Sequence, residues 1–584
     1  MPSAAALKRS VQREFRLSGL TVRPEAVHAL ESVLRREENA KESLRIIMDA
    51  IKARSKAGQP VDRDLVREVV RELSQEDAEM EQSNLEVVDA FDMPKFRWNT
   101  TRRVFYEAPA EVSAKAHIAA LQDRLTVIKQ RLLRNPSFAP PVAGVAVLGS
   151  QATPDRQSGE TGPQQRRRHR VQADARHPGG NSDGSHIQLT QIESLAASAG
   201  TESCVLGMLT RNSNGRLCLE DANGKVELDV SDASTGAGLL TEGSIVLVEG
   251  ELRDGVLVAD NIMSPPMEER QASMAAHGNL DFVRGGDPHS ESALESMVRL
   301  EAAREDAAFV IVSEVHLDDP TVLANLRRML QTYEELDDED LPTLFALMGN
   351  FCSLPFGEGD GQCGAKGYKT LMRTLGGLLA EAPRLLSHAT FVIIPGPRDP
   401  VANAGSLPQH ALPTFFSREL LEAMATSVDG QPRVRFGTNP CRVMYLTQEI
   451  VLFREEMLRK MRRFCVRKPD ESQRPMVEHQ ARTFLQQAHL CPLPVHARPI
   501  LHAYDHALRL YPAPTTLVVA ETSAQAVTKY EGTTVLNPGS FALDSSFVFY
   551  SPSSKSAQFS RVQDVIPDVD EVQGEGDNAM EQDA

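Results

Sequence analysis

A region in the second half of the chain constrains the fold most, because short apolar runs alternate there with longer amphipathic segments. The apolar runs, residues 309–312, 344–348 and 391–394, predict strands covered on both faces. The segments between them, 321–331 and 368–379, repeat their apolar residues at helical spacing. Strands that alternate with helices form βαβ units, so the sequence predicts a buried sheet with helices packed on it.

Polar side chains follow each of the three predicted strands. Glu314 and His316 come after the first strand, while Asn350 follows the second. The third strand breaks into Pro-Gly-Pro-Arg-Asp-Pro at residues 395–400, where three prolines remove backbone donors and fix φ angles. Because the carboxyl ends of parallel strands meet at one edge of a sheet, we expect Asp399 and the other polar groups to lie there together.

The same sheet edge is where a metal-dependent phosphoesterase would carry out its chemistry. Two divalent ions would activate water for attack on a phosphoester, and they need roughly six or seven ligands with a bridging carboxylate. After the third strand, however, Pro397 offers no ligand atom and the guanidinium of Arg398 does not bind metal cations. The sequence therefore favours a scaffold over a hydrolase.

Residues 187–263 have the pattern of a small β-barrel. Five short apolar runs are separated by turns, and Asp-Ala-Asn-Gly at 221–224 predicts a hairpin. Five strands in about 75 residues are typical of an OB-type barrel. Such barrels often bind single strands through aromatic side chains and a basic groove. The predicted strands contain no Phe, Trp or Tyr, and acidic residues outnumber basic ones, so packing or protein binding is favoured.

The part of the chain before the barrel predicts helices and a linker. Residues 1–75 show apolar residues at helical spacing and predict a small bundle, either a docking domain or a packed structural unit. Residues 76–150 predict an extended linker followed by a helix over 124–135. Within the linker, residues 91–98 carry the only tryptophan. We interpret its aromatic side chains as packing against a neighbouring domain rather than stacking on bases.

Three polar segments separate or follow these domains. Residues 151–186 have almost no apolar content and predict a disordered insert, whose basic cluster at 166–170 is either a nuclear import signal or a solvated loop. Residues 264–305 predict a polar linker before the domain at 306–560. The acidic tail at 561–584 is expected to be disordered.

The composition limits the classes of partner. The net charge of −17 argues against a protein that binds nucleic acid over its whole surface, and it fits contact with basic protein partners. No run of about 18 uncharged apolar residues is present, so no membrane span is expected. Seven scattered cysteines without a Cys-x-x-Cys pair predict reduced thiols and argue against structural zinc.

Several motifs identify a family that the chain resembles. They are Phe-Gly-Thr-Asn-Pro-Cys at 436–441, Gln-Ala-His-Leu-Cys-Pro-Leu-Pro at 487–494, Asn-Pro-Gly-Ser-Phe at 537–541, and the segments 391–400 and 504–512. Across nearly its whole length the chain resembles the B-subunit family of replicative DNA polymerases, that of polymerase epsilon in particular. The resemblance implies a multidomain α+β protein. It consists of an N-terminal helical bundle, an OB-fold β-barrel and a calcineurin-like phosphoesterase α/β sandwich that is catalytically degenerate.

Carrying over the active phosphoesterase pattern by position implies that the ligands are incomplete. The Asp-x-His pair reads Glu314-Val-His316, and the bridging Asp is replaced by Asn350. Ala-Glu-Thr-Ser at 520–523 replaces the closing Gly-His-x-His motif. The resemblance therefore implies no catalytic, cofactor-binding or metal-binding residue. Two interpretations of the remaining groups stay open. Glu314, His316 and His489 bind one ion weakly, or His316 and His489 are hydrogen-bonded structural residues. The degenerate positions are Glu314, His316, Asn350, Pro397, Arg398, Asp399, His489, Glu521 and Ser523.

The resemblance implies a non-catalytic accessory subunit of DNA polymerase epsilon in the nucleus. Such an accessory protein holds the C-terminal region of the catalytic subunit and links the polymerase to the replicative helicase. Its other partners would be histone-fold small subunits, with DNA contacted mainly through the complex and no membrane involved. Two alternatives stay open from the residues themselves: a divergent metal-dependent phosphoesterase or nuclease, and an OB-fold binder of single-stranded DNA.

Overall fold

The computed structural model divides the chain into two compact units, residues 1–86 and 87–584. In the first unit isolated residues such as Leu30 and Ile51 are helical and buried, but the predicted bundle as a whole lies outside the described residues. The predicted insert 151–186 and most of the acidic tail also lie outside them. The structure describes thirteen separate positions between 15 and 66, and then 85–110, 112–113, 115–139, 187–286, 291–338, 340–358, 361, 363–424, 433–469 and 471–562.

The segment before the barrel forms three strands and a helix. They are β1 (Leu85–Asp89), β2 (Lys95–Asn99), β3 (Val104–Ala108) and α1 (Ala116–Leu132). β2 and β3 form an antiparallel hairpin. Phe91 stacks on His410 at 3.8 Å between ring centroids, and Trp98 packs edge-on against His277 at 5.6 Å. The aromatic side chains therefore pack against later parts of the chain, as the packing interpretation requires.

The predicted OB fold is confirmed as a closed barrel of five strands. The barrel region contains β4 (Leu189–Thr190), β5 (Glu202–Arg211), β6 (Leu217–Glu220), β7 (Lys225–Asp229), β8 (Ser234–Thr235), β9 (Leu240–Thr241), β10 (Ile245–Arg253) and β11 (Val256–Met263), with a 3-10 turn at Ile192–Ser198. The strand β10 pairs with both β11 and β5, which closes the ring β5-β6-β7-β11-β10 around buried Val205, Val246 and Leu257. The five predicted strands are all present.

The segment 264–305, predicted as a polar linker, contains two helices, α2 (Arg270–Ala276) and α3 (Glu291–Ala303). Polar contacts connect both helices to the following domain. Arg270 donates to Glu449 at 2.8 Å, and Glu301 accepts from Gln448 at 2.7 Å. The helices were missed because the polar composition of the segment, with its prolines and glycines, predicted a linker.

The remaining chain forms two six-stranded sheets with helices. The first sheet and its helices comprise β12 (Phe309–Ser313), α4 (Pro320–Glu334), β13 (Leu344–Met348), α5 (Ala365–Ala380), α6 (Pro383–His388), β14 (Thr390–Ile394), α7 (Thr414–Met424), β15 (Val434–Phe436), α10 (Phe541–Asp544), β22 (Ser546–Ser551) and β23 (Ser556–Arg561). Its strand order is β15-β14-β13-β12-β22-β23, and the strands β12 to β15 are parallel. The strands β12, β13 and β14 were predicted, whereas β15 was not.

The second sheet faces the first. The second sheet and its neighbours comprise β16 (Cys441–Tyr445), β17 (Gln448–Arg454), α8 (Met457–Arg463), β18 (Cys465–Arg467), α9 (Met476–Gln487), a 3-10 turn at His502–Leu508, β19 (Thr516–Ala520), β20 (Ala526–Tyr530) and β21 (Thr533–Asn537). Its strand order is β1-β16-β17-β19-β21-β20. The ring of Phe309 in the first sheet lies 5.2 Å from that of Tyr445 in the second, and the hydroxyl groups of Thr516 and Tyr550 lie 2.7 Å apart.

Helices α4 and α5 cover the first sheet because their apolar faces meet its buried strands. Asp319 starts α4 by accepting a hydrogen bond from the backbone N–H of Thr321 at 2.8 Å, and Pro320 occupies the first helical position. Leu326 of α4 and Tyr368 of α5 are buried in the cluster that includes Phe345 of β13. No described helix has both the length and the apolar content needed to cross a membrane.

The barrel docks on one face of α9. His479 Nδ1 accepts from the N–H of Gly238 at 3.0 Å, and Thr483 Oγ1 accepts from the N–H of Leu239 at 2.7 Å. Gln487 accepts from the N–H of Ile245 at 2.7 Å and donates to its carbonyl at 2.8 Å. These helix residues are four positions apart and so share one face. Because β9 of the barrel also pairs with β18, the barrel and the sandwich are joined by backbone as well as side chains.

Candidate functional site

Glu314 lies at the centre of the predicted sheet edge. It follows β12 with a left-handed backbone, φ 59°, and its side chain is 2% exposed. One carboxylate oxygen accepts from the Asn350 amide at 2.5 Å and from Arg454; the other accepts from His316 at 2.8 Å and Arg398 at 3.1 Å. Burial alone would raise the pKa of Glu314, but the hydrogen bond from His316 and the charge of Arg454 outweigh it and hold that pKa well below its usual range.

Arg454, which we did not predict, is the fully buried partner of Glu314. It ends β17 in the second sheet and donates to the carbonyls of Gly349 at 2.7 Å and Ala520 at 2.9 Å. A further hydrogen bond reaches Glu456 at 3.0 Å. The sequence offered one signal for it, because Arg454 ends the apolar run 450–453 and precedes two glutamates. This guanidinium therefore joins the two sheets through Glu314.

Arg398 supplies a second guanidinium from the proline-rich loop after β14. Its side chain donates to the carbonyl of Ser353 at 2.7 Å as well as to Glu314, and it lies 3.5 Å from Nε2 of His316. Its backbone N–H donates to Oδ1 of Asn350 at 2.9 Å. The structure thus brings Glu314, His316, Asn350 and Arg398 together, as predicted. We call these four residues and Arg454 the Glu314 cluster.

Two glycines allow the loops around the cluster to approach closely. A Cβ atom at Gly349 would lie 2.0 Å from the carboxylate of Asp399, and one at Gly396 would lie 2.5 Å from the side-chain oxygen of Asn350. Asp399 accepts from the N–H groups of Gly396 at 2.8 Å and Phe351 at 2.9 Å. Burial raises the pKa of Asp399 to about 6 despite these donors. Asp399 therefore connects the two loops and makes no hydrogen bond to Glu314.

His489 lies apart from the cluster. Its side chain is fully buried, with Nε2 at 3.2 Å from Asp505 and Nδ1 accepting from the N–H of Cys491 at 3.0 Å. Burial, together with the charge of Arg124, lowers the pKa of His489 to about 4. No contact within the described part of the chain joins His489 to Glu314 or His316, so the three do not form one ligand set.

The other predicted positions have separate partners. Glu521 accepts from the N–H groups of Met457 and Leu458 at the start of α8, both at 2.8 Å, and from Gln480 at 2.7 Å. Burial raises the pKa of Glu521 to about 7. Ser523 accepts from the amide of Asn537 at 2.9 Å. Pro397 is half-buried in the loop beside Arg398.

The donor set of the Glu314 cluster does not fit a two-metal centre. Its one carboxylate is already paired with two guanidiniums, and the side chain of Asn350 beside it is a neutral amide. A cation there would meet two fixed positive charges at short range. The arrangement is a charge network that connects the two sheets.

A cysteine pair beside the cluster corrects the prediction of reduced thiols. Cys352 and Cys363 form a disulfide, and their sulfur atoms lie within 4.8 Å of a carboxylate oxygen of Asp318. Among the described residues this is the one group of three His, Cys, Asp or Glu side chains close enough to share a metal ion, but sulfurs joined in a disulfide offer no thiolate to bind it. Eleven positions separate the cysteines, and the loop after β13 brings them together. No spacing rule predicts such a pair.

Three family models match separate segments of the chain. Residues 309–528 match the family model of the B subunits of DNA polymerases alpha and epsilon, and residues 114–266 match the OB-fold domain of DNA polymerase epsilon subunit 2-like proteins. Residues 3–73 match the N-terminal model of DNA polymerases epsilon.

Curated relatives are similar over most of their length. The DNA polymerase epsilon B subunit of Arabidopsis thaliana is 31% identical over 577 residues, covering 96% of this chain and 100% of the relative. DNA polymerase epsilon subunit 2 of Homo sapiens is 34% identical over 563 residues, covering 94% and 97%. Among solved structures, an archaeal phosphodiesterase covers 43% of this chain and 98% of its own at 9% identity, with a TM-score of 0.22.

Proposed function

The chain belongs to the family of DNA polymerase epsilon B subunits, as its motifs predicted, and from this premise we propose that it is a non-catalytic scaffold of that polymerase. In this proposal the chain holds the C-terminal region of the catalytic subunit. Its N-terminal region connects the polymerase to the replicative helicase in the nucleus, and histone-fold small subunits are further partners.

The observation that carries the proposal is the pairing of Glu314 with two guanidiniums. Arg398 and Arg454 occupy both carboxylate oxygens, so the sheet edge has lost the negative charge that would attract divalent ions. The same contacts hold the two sheets together. A site with this composition supports a structural role, because its charges stabilise the domain instead of binding a substrate.

The attachment of the barrel further supports a scaffold. Three residues on one face of α9 hydrogen-bond to the barrel backbone, and β9 pairs with β18. A rigid platform presents its loops in fixed positions, which lowers the entropy cost of binding a partner. Loops on a rigid platform are common contact surfaces in proteins.

Co-purification tests the proposal. An affinity-tagged chain expressed at its native level should recover the polymerase catalytic subunit from nuclear extract in equimolar amount. The matched control carries the same tag on an unrelated acidic nuclear protein. Recovery of the chain as a lone monomer would contradict the scaffold role.

The phosphoesterase alternative is tested by hydrolysis. The purified full-length chain should release no product from a chromogenic phosphodiester in millimolar Mn²⁺. The variant Asn350→Asp, which restores a carboxylate beside Glu314, should also remain inactive because both guanidiniums stay in place. Manganese-dependent turnover that is lost in the His316→Ala variant would establish the alternative instead.

The single-strand alternative would act through the barrel. Micromolar or tighter binding of oligonucleotides at physiological salt, reduced by substitutions on exposed barrel residues such as Lys225, would support it. We expect no such reduction, because Lys225 is already paired with Glu220 and none of the five ring strands contains an aromatic residue.

A further inference from the structure

We propose that a basic surface on α8 and β18 binds the sugar–phosphate backbone of a nucleic acid. This basic surface consists of Arg459, Arg462, Arg463, Arg467 and Lys468, all exposed. Residues 457–468 hold six basic residues and no acidic one, although the whole chain carries a net charge of −17. The inference rests on membership of a polymerase-subunit family and not on the scaffold role.

The helix orients three of these side chains in one direction. Arg459, Arg462 and Arg463 are spaced i, i+3 and i+4 and therefore share one face of α8. Met457 and Met461 lie on the opposite side and are completely buried. Burial of the two methionines fixes the rotation of the helix, so the arginine face must point to solvent.

Few acidic side chains compensate this surface. Arg462 pairs with Glu471 at 3.1 Å, but both side chains are about half exposed, and such a pair is weak. In the part of the chain that the structure describes, Arg459, Arg463 and Lys468 make no ion pair. The barrel behaves differently, because Arg211, Arg216 and Arg253 there each pair with a glutamate.

Contacts within the protein and stabilisation of the helix dipole explain only some of the basic residues at 457–468. Lys460 pairs with the buried carboxylate of Glu455, and Arg467 donates to the backbone carbonyl of Ala233 in the barrel. Basic side chains near the end of a helix also stabilise its dipole. Of the three exposed arginines of α8, Arg462 and Arg463 lie in the last turn, whereas Arg459 precedes it.

The chemistry of the surface indicates phosphate backbone rather than bases. Guanidinium groups bind phosphate oxygens in a bidentate manner. Phe464, the aromatic residue of the segment, is half-buried and packs edge-on against His496 at 5.3 Å between centroids, so it offers no stacking platform. Because β18 continues from α8 to the barrel, the charges extend over two elements, which suits a long, sequence-independent ligand.

Binding of a labelled 30-base-pair duplex of random sequence to the full-length chain tests the inference. We measure anisotropy between 50 and 200 mM NaCl. The triple variant Arg459→Gln/Arg462→Gln/Arg463→Gln should bind at least tenfold more weakly at 50 mM NaCl. Its plot of log affinity against log salt should lose roughly 2 to 3 units of slope, since each phosphate contact contributes about 0.9.

Two controls separate the surface from net charge and from misfolding. The variant Arg327→Gln/Arg328→Gln/Arg418→Gln removes the same charge from exposed positions on α4 and α7 and should bind like the wild type. Replacing the three α8 arginines by lysine should keep most of the affinity and the slope. The glutamine triple variant and both control variants must show the thermal unfolding midpoint of the wild type.

Three outcomes would overturn the inference. In the first, the glutamine triple variant binds the duplex as tightly as the wild type does. In the second, the α4 and α7 control variant weakens duplex binding as much as the glutamine triple variant does. In the third, the wild type binds a poly-glutamate peptide more tightly than the duplex. The last outcome would assign the surface to an acidic protein segment. Equal affinity for a single strand of the same length supports the inference, because only the backbone is then recognised.

Discussion

At the scale of single residues, Glu314 is the charge on which the polar contacts of its sheet edge converge. Four side chains donate to its carboxylate, and they come from loops after β12, β13 and β14 and from the end of β17. Each hydrogen bond offsets part of the free-energy cost of burying the carboxylate charge. The stability of this edge therefore depends on one ionised group.

Substitution of Glu314 by glutamine should destabilise the sandwich strongly. The change keeps the size of the side chain but leaves Arg454, which is 1% exposed, with only the half-buried carboxylate of Glu456 as a counter-charge. Removing one partner of a buried ion pair costs about 3–5 kcal/mol. Because the pKa of Glu314 is held below its unfolded value, this stabilisation is present at neutral pH and is lost as the pH falls through the folded pKa. Urea unfolding at pH 7 measures the difference.

The exposed pair of Glu381 and Arg327 supplies the control for that measurement. Both side chains are more than 40% exposed, so Glu381→Gln should leave the unfolding midpoint nearly unchanged. If the two variants lost the same stability, the Glu314 cluster would not be the structural centre that its geometry indicates.

Glu521 should give the opposite pH dependence. Burial raises its pKa to about 7, so its proton is bound more tightly in the folded state and stability decreases as the pH rises from about 4.5 to 7. Glu521→Gln keeps an oxygen for the N–H groups of Met457 and Leu458. The variant should therefore match the wild type at pH 5 and exceed its stability by roughly 2 kcal/mol at pH 8.

Thermal unfolding of both proteins between pH 5 and 8 measures this crossover. Glu422→Gln, which removes an exposed acid paired with Arg418, should show no such trend. A Glu521 variant that is less stable than the wild type at every pH would show that the ionised carboxylate is required at the start of α8.

The residues of the Glu314 cluster were only partly predictable. Strand ends placed Glu314, His316, Asn350 and Arg398 at one edge, because a parallel sheet brings such ends together. Arg454 was missed since it belongs to the second sheet, and the stacking of two sheets cannot be read from local patterns. His489 was grouped with the site by resemblance alone, whereas burial beside Asp505 keeps it apart.

At the scale of elements, the apolar pattern of the sequence predicted those strands and helices whose apolar side chains are buried. The strands β12, β13 and β14 were found because continuous apolar runs of that length form buried strands, and the five barrel strands because short alternating segments separated by turns form half-buried strands. α1 begins at Ala116, eight positions before the predicted start. Its first turns were missed because they are rich in alanine and only weakly amphipathic. The helix α3 was missed although Leu294, Met297 and Leu300 recur at helical spacing, because the polar composition of the surrounding segment predicted a linker.

The helix α9 provides an element-scale prediction. Gln487→Ala removes both hydrogen bonds to Ile245 and leaves a buried N–H and carbonyl without partners, at about 1–3 kcal/mol each. Faster hydrogen exchange of the barrel strand β10 should follow, measured by mass spectrometry. Glu478→Ala on the same helix removes only surface ion pairs and serves as the control. Equal exchange in both variants would contradict docking through this face.

At the scale of the whole molecule, the thiol content gives a direct check. Of the seven cysteines, Cys352 and Cys363 are paired and five are free. Alkylation of the denatured chain without reductant should therefore modify five cysteines, and seven after reduction. Peptide mapping should locate the two protected thiols at positions 352 and 363. Seven modifications without reductant would show that the pair is reduced in the protein as purified.

The Glu314 cluster also has a consequence for the evolution of the chain. Replacing Glu314 or Arg454 to admit a cation would break the ion pair between them, which is costly because their side chains are only 2% and 1% exposed. An intermediate between this arrangement and a hydrolytic one would therefore lose stability before it gained turnover. Exposed loops carry no such cost, so changes of binding partner are easier to acquire there than a change of chemistry.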